Sequence, residues 1–215
     1  MKIVIFSGGR GSGNLYKGLK DYCRDKNISA RISLISNAYD DGMSTGEVRR
    51  LVPGGVLGPS DIRKLQETQY NYLFSNKAIK QFFSFRYVSH KAEHMEDLRN
   101  LSNNKSPKNP SLSWYKDLPL SLKRLTQEAL KYLFLNTKID KLKLNDFAFS
   151  NLIYAGLCGI YEGSLQQVET KIRENLNLTD PVILNSNENK FLFALTEDGK
   201  LLHDEASIVS YKGNS

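Results

Sequence analysis

Two carboxylates stand side by side at Asp40 and Asp41, followed at once by Gly42 and then by the hydroxyls of Ser44 and Thr45. Further on, the segment GPSDIRK carries Asp61 and, two residues later, Arg63. Adjacent carboxylates repel each other and any phosphate brought near them unless a cation joins them, so a magnesium ion on Asp40 and Asp41 would make the pair favourable. The hydroxyls and loop N–H groups suit oxyanion oxygens, and arginine takes such oxygens in its planar fork. Together these residues point to the handling of a phosphate ester, in which positioning and charge neutralisation do most of the work. Singly, each has a plainer reading: Asp-Asp-Gly is a common turn, and an aspartate in the first turn of a helix favours the helix dipole.

A phosphate needs a cradle, and the N-terminus offers one. In MKIVIFSGGRGSGNLYKGLK, four apolar residues from Ile3 to Phe6 have the β-branched, non-alternating pattern of a strand. Five glycines follow between Gly8 and Gly18, and Leu15, Leu19, Tyr22 and Cys23 then recur at helical spacing. The stretch reads strand, glycine turn, helix, an arrangement that aims backbone N–H groups and a helix N-terminus at an anion. Two known fingerprints fit it incompletely. Gly9 and Gly11 begin a dinucleotide pattern that meets Asn14 where a third glycine belongs; Gly8 and Gly13 have P-loop spacing, but Asn14-Leu15 replaces its Lys-Ser/Thr. The turn is also consistent with glycines chosen only for positive φ.

The elements that must position these groups follow from the rest of the pattern. Residues 30–36, with Ile32, Leu34 and Ile35, read as a second strand that completes a βαβ unit. The polar passage from Asn37 to Lys64 reads as a long loop leaving the carboxyl end of that strand, where open α/β sheets bind ligands. From Leu65 to Asn100 the chain turns helical and aromatic, Ser102 to Ser113 reads as a mobile loop, and another helix is predicted over Ser121 to Leu135. A buried helix is expected from about Asn151, and a second one is capped by Ser164 and Gln167. The tail reads as strands: PVILN, then KFLFAL and KLLH around the Glu197-Asp198-Gly199 turn. The expected fold is α/β, a Rossmann-like parallel sheet with a helical insertion and a C-terminal β-hairpin. Residues 1–64 form the glycine-loop unit, 65–145 the insertion, and 146–215 the return to the α/β domain.

Composition bounds the function. With 215 residues and 40% hydrophobic content the chain can bury a sizeable core. Cys23 and Cys158 each lie in an apolar helical pattern and read as reduced core thiols, and no stretch reaches membrane-spanning length, so a cytoplasmic protein is expected. The net charge of +7 is regional: residues 77–143 hold fourteen Lys/Arg against six Asp/Glu. That excess allows a nucleic-acid-binding module, but the helix-spaced aromatics suit a core better than base stacking, so nucleic acid is not the expected partner. His90 and His94, near Glu93 and Glu96, lack a third metal ligand. No Gly-x-Ser-x-Gly elbow supports a hydrolase.

Four blocks in this order, GGRGSGNLYKGLK, DDGMSTGEVR, GPSDIRK and SNLIYAG, resemble the glycine turn, the acidic loop and two helix starts of the superfamily of 2-phospho-L-lactate transferase and the gluconeogenesis factor. The chain departs from that pattern at Ser7, Arg10, Met43, Ser60 and Ser150. The resemblance implies a nucleotide diphosphate or nucleotide-sugar ligand. Gly8, Gly9, Arg10, Gly11, Ser12, Gly13, Asn14, Ser44, Thr45, Arg63 and Asn151 would contact the nucleotide and its phosphates. Asp41 and Asp61 would be catalytic, and Asp40 with Asp41 would hold magnesium. One branch transfers a phospholactyl group from a guanosine-linked donor to a hydroxyl of a deazaflavin; the other binds UDP-sugars and regulates carbon metabolism or cell shape. The family's domain continues beyond the hairpin, so a chain supplying its C-terminal region is an expected partner, as is a homo-oligomer.

Overall fold

The computed structural model describes residues 1–7, 11–89, 91–203 and 205–212. Gly8, Gly9, Arg10 and His90, named above, lie outside them. Strand β1 (Lys2–Ser7) leads into helix α1 (Ser12–Asp25) and strand β2 (Arg31–Ser36), and the two strands pair in parallel from Lys2 opposite Arg31 to Ser7 opposite Ser36. Helices α2 (Met43–Leu51), α3 (Ser60–Leu73) and α4 (Lys77–Ser84) follow, then the two-residue strand β3 (Arg86–Tyr87) and helix α5 (Ala92–Ser102). Helix α6 (Leu120–Asn136), strand β4 (Phe147–Ala148) and helices α7 (Phe149–Ile160) and α8 (Leu165–Asn175) lead to strand β5 (Val182–Leu184). β5 pairs in parallel with β2, giving the sheet order β1-β2-β5. The chain ends in the pair β6 (Ala194–Leu195) and β7 (Leu201–Leu202) and helix α9 (Glu205–Ser210). The α/β class, the parallel sheet and the C-terminal strand pair are as expected.

Each strand alternates, so the sheet has a dry face and an open one. Ile5, Ile32, Leu34, Val182 and Leu184 are buried on the side where α1, α3 and α8 pack. Polar groups lock this layer. Asp180 accepts from Tyr16 Oη at 2.7 Å and Ile32 N at 3.3 Å and pairs with Lys20 at 2.6 Å. Glu169 on α8 accepts from Val182 N at 3.1 Å and from Gln66 of α3.

A second layer gathers around α7, whose residues Phe149 to Cys158 are all buried. Its glycines permit close helix packing: a Cβ on Gly156 would stand 2.4 Å from the Ala129 carbonyl oxygen of α6, and one on Gly159 would meet the Tyr132 ring. The aromatics Phe82, Phe83, Tyr87 and Phe149 fill this core. Cys23 and Cys158 are free thiols, both buried, and burial pushes the Cys158 thiol well up.

Three local expectations change. Residues 37–64 are not one loop: Val48 is fully buried on α2, which rises within the passage, and α3 begins at Ser60, so α3 runs through the boundary drawn at Lys64. The segment read as mobile is pinned, because Asp97 accepts from Lys108 N at 2.6 Å and Asn109 caps a 3₁₀ turn over Pro110–Asp117 that buries Leu112. The tail hairpin is shorter than its apolar run, since Phe191 leaves it to lie 4.2 Å beneath the Arg49 guanidinium. Among the described residues, no helix is long and apolar enough to cross a membrane.

Candidate functional site

Helices α2, α3 and α7 bring their first turns together after β2, and of the predicted residues Asp40, Ser44, Thr45, Arg63 and Asn151 meet there. Asn151, wholly buried in the first turn of α7, is the junction: its Nδ2 donates to Ser44 Oγ and Ser60 Oγ, both at 3.2 Å, and its Oδ1 accepts from Arg63 Nε at 3.0 Å. Thr45 Oγ1 lies 2.5 Å from Ser60 Oγ and 3.4 Å from Asp40 Oδ2. Ser60 spends its hydroxyl on this network, and Pro59 occupies the capping position of α3. Arg63 also donates to the Phe83 carbonyl and faces Glu67 at 3.6 Å. Burial lowers its guanidinium from the ordinary value, with Glu67 acting the other way.

The acidic loop is held by close backbone approach. A Cβ on Gly46 would stand 2.5 Å from the Asp41 carbonyl oxygen, and one on Gly58 would stand 2.4 Å from that of Asp40. Neither position can carry a side chain without moving the loop. Asp40 Oδ1 accepts from Gly42 N at 3.1 Å. Asp41 turns elsewhere: its carboxylate takes Arg50 at 2.7 Å and faces Arg49 at 3.7 Å. Arg49 is fully buried, so desolvation lowers its guanidinium and Asp41 opposes the shift. Its other donors reach Tyr39 O, Asn189 Oδ1 and Lys190 O, tying the acidic loop to the segment after β5.

This geometry bears on magnesium. The repulsion that would call for a cation between Asp40 and Asp41 is already met by Arg49 and Arg50, and among the described residues no group of three His, Cys, Asp or Glu is placed to hold a metal. A magnesium ion shared by Asp40 and Asp41 would have to draw the Asp41 carboxylate away from Arg50. Asp61, in the first turn of α3, pairs with Lys64 at 3.1 Å.

Beside the junction lies an open cavity of about 340 Å³, lined by Gly13, Arg63, Lys64, Glu67, Thr68 and Arg86, among others. Arg63 belongs to both the network and this cavity. Gly13 sits in the first turn of α1, where an added Cβ would be 3.3 Å from Thr68 Oγ1, so α1 begins directly against α3. Gly11 precedes α1 with φ −63°, and a Cβ there would meet nothing within 4 Å. Its backbone does not require glycine; it stands in open space. Ser12 bonds Ser7 Oγ at 2.6 Å, while Asn14 is exposed.

Lys64, Thr68 and Arg86 were not among the expected site residues. Lys64, Glu67 and Thr68 are three and four apart on α3, a spacing legible in sequence. Arg86 reaches the cavity through the pairing of β3 with β4, anchored by Asp146 at 2.7 Å, and no sequence signal marks that pairing.

Three comparisons place the chain. Residues 3–215 match the family model described as 2-phospho-L-lactate transferase CofD. A curated protein from Nostoc sp. strain PCC 7120, named "Putative gluconeogenesis factor", is 36% identical over 86 residues, 40% of this chain and 16% of that protein. Two crystal structures of protein BH3568 from Bacillus halodurans, one described as a member of the UPF0052 family, superpose with TM-score 0.57 at 21% and 20% identity, covering 96% of this chain and 46% of theirs. The chain thus spans less than half the length of each of these relatives. Since the family model covers nearly the whole sequence, the chain belongs to the 2-phospho-L-lactate transferase CofD family.

Proposed function

We propose that the chain binds a nucleotide diphosphate or nucleotide-sugar, with the phosphates in the cavity at the start of α1. One observation carries the reading: the N-terminus of a 14-residue helix and three cationic side chains, Arg63, Lys64 and Arg86, border the same opening. Helix N–H groups and guanidinium forks are the two protein groups best suited to phosphate oxygens. The Asn151 junction contributes by holding Arg63 in place.

Family membership supports a transfer reaction on this platform. In that reaction a hydroxyl oxygen of an acceptor attacks the donor's phosphorus, a new P–O ester bond forms, and the bond to the nucleoside monophosphate breaks. Asp61, at the start of α3, is the carboxylate we assign to orient the hydroxyl and take its proton. Asp41, expected from sequence to act with it, is assigned instead to holding Arg49 and Arg50. Magnesium would add charge neutralisation if carried in by the phosphates, and no step is assigned to it. The commitment of Asp41 to arginines favours a second reading, a nucleotide-sugar-binding regulator without turnover.

Thermal unfolding with GDP or a UDP-sugar tests the common element. A ligand at about a hundred times its Kd adds roughly 2.7 kcal/mol, a rise of several degrees in a chain of this size. No shift with any purine or pyrimidine diphosphate at millimolar concentration overturns both readings. Nucleoside monophosphate release that Asp61→Asn abolishes, while the thermal shift survives, selects the transferase; a shift without release selects the regulator.

A further inference from the structure

We propose that the cavity at the C-terminal end of α2 is a second ligand site, one for a small multiply charged anion of the phosphate or carboxylate class. It is distinct from the cavity bordered by Arg63, Lys64 and Arg86: its volume is about 560 Å³ against about 340 Å³, and the two share no lining residue. Its wall includes Arg49 and Arg50 from the last turn of α2, Lys138 just beyond the end of α6, and Asn136, Asn189 and Phe191. Among the described residues, no aspartate or glutamate lines it. The carboxylate that pairs with the two arginines is Asp41, at 3.7 and 2.7 Å, and Lys138 pairs with no carboxylate among the described residues. Three cations thus stand against one carboxylate, a local excess that an anion relieves.

Excess charge alone is common on protein surfaces, and a second observation lies within the wall itself. Arg49 is fully buried, and its two terminal nitrogens donate to Tyr39 O, Asp40 O, Asn189 Oδ1 and Lys190 O. Its Nε–H is buried too, yet it has no partner among the described residues. Buried donors in native proteins are nearly always satisfied, so an orphan on a cavity wall marks where an acceptor is to come from outside the chain. An oxyanion seated against this wall supplies that acceptor. The neighbouring groups hold the wall in readiness. The Phe191 ring lies 4.2 Å from the Arg49 guanidinium and 5.7 Å from that of Arg50, cation–π contacts that steady both heads. Arg50 is half exposed and donates to Asp41 from one nitrogen, which leaves other N–H groups for a ligand. Its planar fork suits two oxygens of one phosphate or carboxylate, and Lys138 adds a point charge. Asn136 and Asn189 border the same space with exposed amide groups suited to further ligand oxygens.

Inorganic phosphate and citrate are the probes, titrated calorimetrically in separate runs at low ionic strength, where screening is weak. The expected result is saturable binding of at least one of them, roughly fivefold weaker in Lys138→Gln and in Arg50→Gln, the scale of one exposed ionic contact. The probe that binds more tightly tells phosphate from carboxylate. Lys64→Gln, in the other cavity, and Lys141→Gln, at an exposed lysine on the same turn, should leave the affinity unchanged. In the nitrogen-15-labelled chain the Arg49 Nε–H resonance should move as the probe saturates. Lys138 is exposed, so Lys138→Gln should keep the circular dichroism and melting temperature of the parent, which removes misfolding as the cause. Its nucleotide-induced stabilisation should also match the parent, so this proposal and the nucleotide reading fail separately. Weakening by Lys64→Gln with Lys138→Gln indifferent gives the anion to the other cavity and overturns the proposal. Equal weakening by Lys141→Gln reduces the binding to diffuse surface charge and overturns it as well. No binding of either probe, or an Arg49 resonance that stays in place at saturation, does the same.

Discussion

Arg63 Nε donates to Asn151 Oδ1 at 3.0 Å, so the first turns of α3 and α7, 88 residues apart, are joined through two buried side chains. Because Asn151 also serves Ser44 and Ser60, its removal strands several polar groups away from water. Asn151→Ala should cost about 1–3 kcal/mol, the range for leaving a buried polar group unsatisfied. Denaturant unfolding should show a lower midpoint with an unchanged slope, and the nucleotide-induced rise in melting temperature should shrink with it, because Arg63 loses its anchor.

Asp41 offers a sharper case, since the sequence alone makes it look catalytic. Asp41→Asn removes the carboxylate facing buried Arg49, and breaking a buried pair from one side costs about 3–5 kcal/mol. Asp61→Asn, which loses only a partly exposed contact with Lys64, should change stability by less than about 1 kcal/mol. Equal melting temperatures for the two variants would show that Asp41 does not hold the arginines together.

The contrast between those aspartates explains what could be read in advance. The opening strand, the helix after it and the parallel partner strand were legible because β-branched runs and helical spacing are local signals. So was the convergence of Ser44, Thr45, Arg63 and Asn151, through the order of the motif blocks. The direction in which each side chain turns was not. Asp40 and Asp41 are neighbours in sequence, yet one caps its own loop and the other faces two arginines on α2, a choice made by the close approach of Gly46 and Gly58 to the loop's carbonyls. Arg86 entered the cavity through a strand pair two residues long, below the length at which alternation can be recognised.

Glu169 predicts a pH dependence. Burial raises its carboxyl above the ordinary value, with the Val182 N–H and Arg173 acting the other way. A folded-state value above the unfolded one gives stability that is fully present below the unfolded value of 4.5 and lost as pH rises through the raised folded value. Glu169→Gln should remove that loss, so its melting temperature relative to the parent should rise as pH increases from 4.5 through the raised folded value. A difference that is flat or falls over this window would show that the carboxylate is better paired than its burial implies.

The glycines of the first helix separate fold from ligand. Gly18 lies inside α1 with nothing within 4 Å of an added Cβ, so Gly18→Ala should stabilise the chain by about 0.5–1 kcal/mol through helix propensity alone. Gly11 has the same open surroundings and an ordinary φ, yet it stands where the start of α1 would meet a phosphate. Gly11→Val should therefore leave the melting temperature of the free protein within about a degree or two of the parent, a change worth under roughly 0.5 kcal/mol. The rise induced by GDP or a UDP-sugar should be abolished, because the new side chain fills the space the phosphate needs. If Gly11→Val keeps the full ligand-induced rise, the phosphate does not approach the start of α1, and the cavity bordered by Arg63, Lys64 and Arg86 must take its ligand by another route.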